Sequence, residues 1–204
     1  MTTSESGDAD DADDSGTDPG DVHRAVVVDH LPNGRADDDR PRHRQSPLAY
    51  ALGERDFRLF ELTLVDDADI SIGDRVVIGP TGERDAVDGF KQVTYGDLSN
   101  TGVGELEYAV EAIIDDNEER FVDFYNDAQP ITLRLHQLNL LQGIGKKLRN
   151  NVLDQRKRGP FESFEEVEER VSGLHNPKEV LIERILDELR DDDLKYKTFV
   201  GRNS

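Results

Sequence analysis

No cysteine occurs among the 204 residues, which excludes disulfides, thiolate metal ligands and a cysteine nucleophile together. Long apolar runs are lacking too. The longest outside the helical segments is Ala25-Val26-Val27-Val28, far short of the roughly 20 residues that span a bilayer. Met1 to Asp21 has neither a cationic start nor an apolar stretch, so no signal or transit peptide is expected, and a soluble, cytoplasmic chain is. Histidine is sparse: His23, His30, His43, His136 and His175 show no metal-ligand spacing, and no Walker, Rossmann or nucleophile-elbow motif occurs. No catalytic constellation is visible, and the chain is not expected to be an enzyme. Acid clusters such as Asp115-Asp116 and Asp191-Asp192-Asp193 could hold Mg²⁺ as in nucleases, yet in so acidic a chain a solvated surface is the simpler reading.

Bases are few against acids. Lys and Arg number 25, Asp and Glu 45, for a net charge of -20. The bases are themselves uneven, 18 Arg to 7 Lys. Residues 1–21 hold 8 of the acids and no base, but the remaining 37 still outnumber the 25 bases, so the bias is chain-wide. An apolar content of 35% is thin but enough for one large core or two small ones.

Residues 1–21 are mostly Asp, Ser, Gly and Thr and cannot offset their own ordering entropy. They read as a disordered acidic tail. From Arg24 the pattern becomes short β runs, Arg24–Asp29, Leu48–Leu52, Phe57–Val65, Arg75–Ile78 and Val87–Tyr95, with turn chemistry at Gly73-Asp74 and Gly79-Pro80. Five short strands over residues 22–100 suggest a small β-barrel of the OB type. Over 101–128 the period turns helical: Leu106, Val110, Ile113 and Ile114 share a face, Asp115-Asp116-Asn117 interrupts, and a second piece carries Phe121, Phe124 and Tyr125. Over 129–192 four short helices are expected: Pro130–Leu141, Lys146–Arg156, Phe164–Val171 and Pro177–Arg190. Pro130 and Pro177 suit first helical positions, Asn176 an N-cap, and Ser163 with Glu166 a capping box. Residues 193–204 end the chain as a last strand or a tail, with Lys195–Val200 open to either reading.

The stretch Leu141-Gln142-Gly143-Ile144-Gly145-Lys146-Lys147 joins two helical segments through a turn in which glycines flank an isoleucine. Glycine permits positive φ and lets a phosphate approach the backbone, and Ile144 becomes the hydrophobic pin. The following helix begins at once, so its unpaired N–H groups and positive dipole end form an anion site, to which Lys146, Lys147 and Arg149 add cations. Residues 134–158 carry seven bases, among them Arg156, Lys157 and Arg158, against one acid, Asp154. A basic island retained in so acidic a chain points to a polyanion. Backbone donors read no bases, so such binding is largely sequence-independent. A second cluster, Arg40, Arg42, His43 and Arg44, lies between the first two strands, where OB folds hold ligands; balance against Asp37-Asp38-Asp39 is the alternative. Tyr50, Phe57 and Phe60 could stack bases, though core packing suits their strand positions better.

With the connector Arg158-Gly159-Pro160-Phe161-Glu162-Ser163-Phe164, residues 131–190 resemble the tandem helix-hairpin-helix fold of DNA-uptake receptors, nucleases and repair proteins. The second hairpin, Val171-Ser172-Gly173-Leu174-His175-Asn176, keeps one glycine and reads as a packing unit. Residues 22–200, including Asn117-Glu118-Glu119-Arg120-Phe121-Val122, resemble an uncharacterised archaeal family that pairs an OB-like barrel with this module and is described as RNA- or nucleotide-binding. The composition is similar to that of haloarchaeal proteins. The resemblance implies an α+β fold, an OB-like barrel followed by an all-α tandem helix-hairpin-helix domain. It further implies a nucleic-acid partner with RNA favoured over DNA, a translation or transcription setting, and K⁺ at the hairpin carbonyls. A protein adaptor that docks through the same helices is the alternative function. Glycosylases of the helix-hairpin-helix class place a catalytic Asp beside the hairpin; Asp154 lies in the helix after it, and nothing else fits.

Overall fold

The apolar run at Ala25–Val28 becomes the middle of a strand that is buried on both faces. The structure is a computed structural model that describes residues 22–35 and 46–201; the expected acidic tail and the Arg40–Arg44 cluster lie outside them. Within them β1 (His23–Leu31), β2 (Leu48–Gly53), β3 (Leu59–Leu64), β4 (Arg75–Gly79) and β5 (Val87–Val93) form one antiparallel sheet in the order β4-β1-β2-β3-β5. The sheet curls. Ala25, Val27, Ala51, Leu62, Val76 and Ile78 pack inside the curl, and alternate residues Val26, Val28, Tyr50 and Leu52 face the helices. A strand with apolar neighbours on both sides carries no polar alternation, which is why β1 reads as an unbroken run.

Five α-helices follow among the described residues: α1 (Asn100–Asp116), α2 (Glu118–Asp127), α3 (Lys146–Arg156), α4 (Phe164–Arg170) and α5 (Pro177–Arg190). The Ser99 hydroxyl caps α1 by accepting from Gly102 N at 2.9 Å, and it also donates to the buried Asp29 carboxylate on β1. At Gly102 the helix comes so near the strand that an added Cβ would lie 3.6 Å from Val28. One apolar core therefore runs from the outer face of the sheet through α1 and α2 to α5. Phe57 packs at 5.9 Å on Phe121, and Phe60 edge-on at 5.5 Å on the half-buried Phe90; Phe57, Phe60, Phe121 and Tyr50 are buried.

Four local expectations are revised. The span Pro130–Leu141 is not an α-helix but a tight turn followed by a 3-10 turn at Gln137–Leu140. Thr132 Oγ1 captures Arg134 N and Leu135 N, and His136 Nδ1 captures Leu138 N, a side-chain competition that disfavours α-helix. Ser163 caps α4 through Glu166 N at 3.1 Å, while Glu166 accepts from Glu162 N at 2.7 Å, one residue before the cap. Asn176 stands at the N-cap of α5 in a left-handed conformation, φ 48°, with no side-chain cap bond. Lys195–Val200 is neither a strand nor a frayed end. The buried Glu188 carboxylate accepts from Thr198 N, Phe199 N and Val200 N at 2.7 to 3.0 Å and clamps the segment to α5. No helix of the described residues is long and apolar enough to cross a membrane.

Candidate nucleic-acid interface

The Gly143–Lys147 turn combines a buried pin with an open rim. Gly143 sits at φ 78°, a conformation that costs a residue with a Cβ about 1–2 kcal/mol. Ile144 is buried, and its N–H donates to Leu141 O at 3.2 Å. Gly145 is the N-cap of α3 and brings no side-chain cap. A Cβ added at Gly143 or Gly145 would meet nothing within 4 Å, so the space over the helix end is open. The first intrahelical bond runs from Arg149 N to Gly145 O at 2.9 Å. The N–H groups of Lys146 and Lys147 precede it and face solvent beside two exposed ammonium side chains.

The remaining basic residues divide between rim and frame. Arg149 braces the turn: its guanidinium donates to Asn139 Oδ1 at 3.2 Å and to Asn150 Oδ1 at 3.0 Å, while Asn139 Nδ2 donates to Ile144 O at 3.0 Å. Its partners are neutral, so its charge remains uncompensated there. Arg156 belongs to the frame. It donates to the Tyr125 and Ala128 carbonyls at 3.2 and 3.0 Å, closing the C-terminus of α2, and burial lowers its pKa. Lys157 is exposed and pairs with Asp154 at 3.1 Å; Arg158 is exposed. Lys146, Asn150 and Asp154 share the exposed ridge of α3 by helical spacing, with Lys157, its C-cap, at the end of the row. His136 lies beside this helix, and burial, followed by the charges of Arg156 and Arg149, pushes its pKa below the ordinary value.

The second turn repeats the geometry of the first. Gly173 takes φ 94°, Leu174 is buried, and Leu174 N donates to Val171 O at 3.0 Å. The surroundings differ. Pro177 at N1 removes one donor, and Asp115, Glu118, Glu165, Glu168 and Glu179 line the adjacent cleft. Lys178 is held by Glu111 and Asp115 at 2.8 and 2.9 Å, bonds that raise its pKa. The first hairpin has an acidic flank too: Gln142 borders a cleft of about 330 Å³ with Glu107, Glu179, Glu183 and Asp187. The α3 side of the tip is the flank these clefts leave free.

For the monovalent cation implied by resemblance, the tip offers neutral oxygen donors of a kind that suits K⁺. Leu141, Gly143 and Ile144 carbonyls each accept one internal bond and keep a second lone pair. The residues present therefore fit the ion.

Two residues that anchor the site escaped the sequence reading. Arg184 and Glu188, i and i+4 on the apolar face of α5, form a buried pair at 2.8 Å; Arg184 also donates to Leu140 O at 3.3 Å and to Tyr196 O at 3.0 Å. A charged pair at core positions among Leu181, Ile185 and Leu189 was the available signal. Arg170 likewise ties the connector, donating to the Gln155, Gly159 and Pro160 carbonyls and lying 4.5 Å over the Phe161 ring.

Comparison with known proteins gives consistent matches along the chain. A family model described as "Protein of unknown function (DUF655)" matches residues 21–201. An uncharacterized protein of Methanocaldococcus jannaschii is 40% identical over 178 residues, covering 86% of this chain and 78% of that protein. The crystal structure of an Archaeoglobus fulgidus protein, titled with the same family model, superposes with a TM-score of 0.80 at 42% identity, covering 87% of this chain and 99% of that one.

Proposed function

We propose, on the premise that this chain belongs to the DUF655 family of proteins of unknown function, that it is a non-catalytic nucleic-acid-binding protein that grips the sugar-phosphate backbone through the N-terminus of α3, with RNA favoured over DNA. The observation that carries this reading is the uncapped, sterically open helix end at Gly145–Lys147 on a basic ridge. Backbone N–H groups and a helix dipole bind phosphate oxygens without reading bases. Lys146, Lys147 and Arg149 supply the charge nearest the tip, Lys157 and Arg158 extend it along α3, and Arg156 serves by positioning α3 against α2. K⁺ at the tip carbonyls would add positive charge beside the phosphate.

The two repeated turns, each a left-handed glycine followed by a buried aliphatic residue, support a tandem helix-hairpin-helix module over 129–192 in which the second unit packs and the first binds. The strand pairing, β1 with β4 and β3 with β5, supports an OB-like barrel over 22–100, open between β4 and β5, with the helices of 101–128 joining the two. A haloarchaeal member of the family accounts for the -20 charge. At about 1 M salt the screening length falls to roughly 3 Å, so directional N–H to phosphate bonds outweigh long-range attraction.

The test is binding to fluorescent single-stranded RNA, duplex RNA and duplex DNA in molar KCl, beside Gly145→Asp. Position 145 has φ -80°, which any residue adopts, and Asp is a favoured N-cap. The variant is expected to keep or raise thermal stability while its carboxylate, seated over the phosphate site, abolishes binding. Unchanged affinity in Gly145→Asp sinks the reading. Absence of wild-type binding to every probe transfers the helical module to the adaptor role.

A further inference from the structure

The turn that stands where a helix was expected presents Leu133, 106% exposed, the most exposed large apolar side chain among the described residues. It is not a loose loop. Ile131 N and Thr132 N donate to Leu135 O at 2.8 and 3.0 Å, Arg134 N and Leu135 N donate to Thr132 Oγ1 at 3.2 and 3.0 Å, and Pro130 pairs with His136 as an antiparallel bridge. Below the bridge, Gln137 N donates to Gln129 O at 2.9 Å, and Gln137 Oε1 accepts from Gln129 N at 2.6 Å. A leucine held so firmly at an apex buries nothing and therefore contributes nothing to the core.

One base adjoins it. Arg134, next to it, is exposed and makes no ion pair among the described residues. The turn leads directly into the 3-10 segment whose Asn139 bonds Arg149 of α3. Rigid apolar side chains beside phosphate-binding groups act on nucleic acids by entering a base step and unstacking it, and RNA exposes weakened steps at bulges and helix ends.

We propose that Leu133 is a wedge that enters a weakened base step of an RNA duplex while the α3 N-terminus holds the neighbouring backbone, with Arg134 on a flanking phosphate. This rests on the phosphate-gripping reading and deepens it: the preferred target is a helix with a defect, selected by shape rather than by sequence.

The experiment uses the full chain in molar KCl with two duplex RNAs, one fully paired and one carrying a single-nucleotide bulge, each with 2-aminopurine at the same step. Wild type is expected to raise the fluorescence of the bulged duplex and to prefer it by about tenfold. Leu133→Ala should bind the paired duplex within about twofold of wild type, since the side chain packs on nothing, yet lose the fluorescence rise and the preference. Leu133→Met should restore both. Retention of both by Leu133→Ala overturns the wedge. Wild-type binding without any fluorescence rise overturns the wedge and leaves the grip standing. Wild type that binds neither duplex overturns both and leaves Leu133 as a protein-docking residue.

Discussion

The two glycines of the tip are there for different reasons. Gly143 is demanded by its backbone, φ 78°, whereas Gly145 has an ordinary backbone, and what its missing side chain secures is an open helix end. His136 shows the same economy in another form. It is buried with Nδ1 accepting from Leu138 N, which requires the neutral ring. Burial first, then Arg156 and Arg149, hold its pKa below the ordinary 6.5. A histidine with a depressed folded pKa binds its proton more weakly in the native state than in the unfolded chain. Its contribution is thus full above about pH 6.5 and is lost as pH falls through that value toward the folded pKa. Unfolding measured from pH 8 to pH 5 should show stability falling on the acid side in wild type, and a flatter curve in His136→Gln, measured from that variant's own baseline. Equal slopes would remove His136 as the titrating group.

At the level of elements, the hairpin's first arm, α5 and the C-terminal segment are held together by one buried ion pair. Glu188 accepts from Arg184 and from three backbone amides of residues 198–200, Arg184 reaches Leu140 O, and Gly201 N donates to Asp56 O beside the β2–β3 turn. Removing one partner of a buried pair leaves the other uncompensated, at a cost of about 3–5 kcal/mol. Glu188→Gln should lose stability on that scale, and hydrogen exchange at residues 198–201 should rise well ahead of exchange in the sheet. Uniform exchange across the chain would show that the clamp is not a separable unit. Much of this level was legible beforehand. The five strands were placed within about two residues, and α3, α4 and α5 stand within a residue of their expected bounds, while α1 runs through the Asp115-Asp116 expected to interrupt it. The arm at Pro130–Leu141 was not legible as it is, because Thr132 and His136 capture backbone donors that a helix needs. Leu135, Leu138 and Leu141 recur every three residues, the period of the 3-10 turn that formed there.

Across the whole molecule the governing quantity is the excess of acid. A net charge of -20 opposes compaction through self-repulsion, which salt screens. The thermal midpoint should therefore climb between low and molar KCl, and a midpoint that stayed level across that range would exclude repulsion as the controlling factor. The same acid excess divides the two repeated turns, since carboxylates crowd the second and Lys146, Lys147 and Arg149 surround the first. Local information in the sequence determined the alternation of short strands, the helix ends, the glycine turn at 143–145 and the basic window at 134–158, because each depends on residues a few positions apart. Tertiary structure alone decided which of those bases are available: it placed Arg156 on the carbonyls of α2, braced Arg149 across the turn, left Lys146 and Lys147 in solvent, buried Glu188 and exposed Leu133. Those outcomes depend on burial and on partners 10 to 31 residues away, and a side chain's charge or polarity does not reveal in advance which distant carbonyl will reach it.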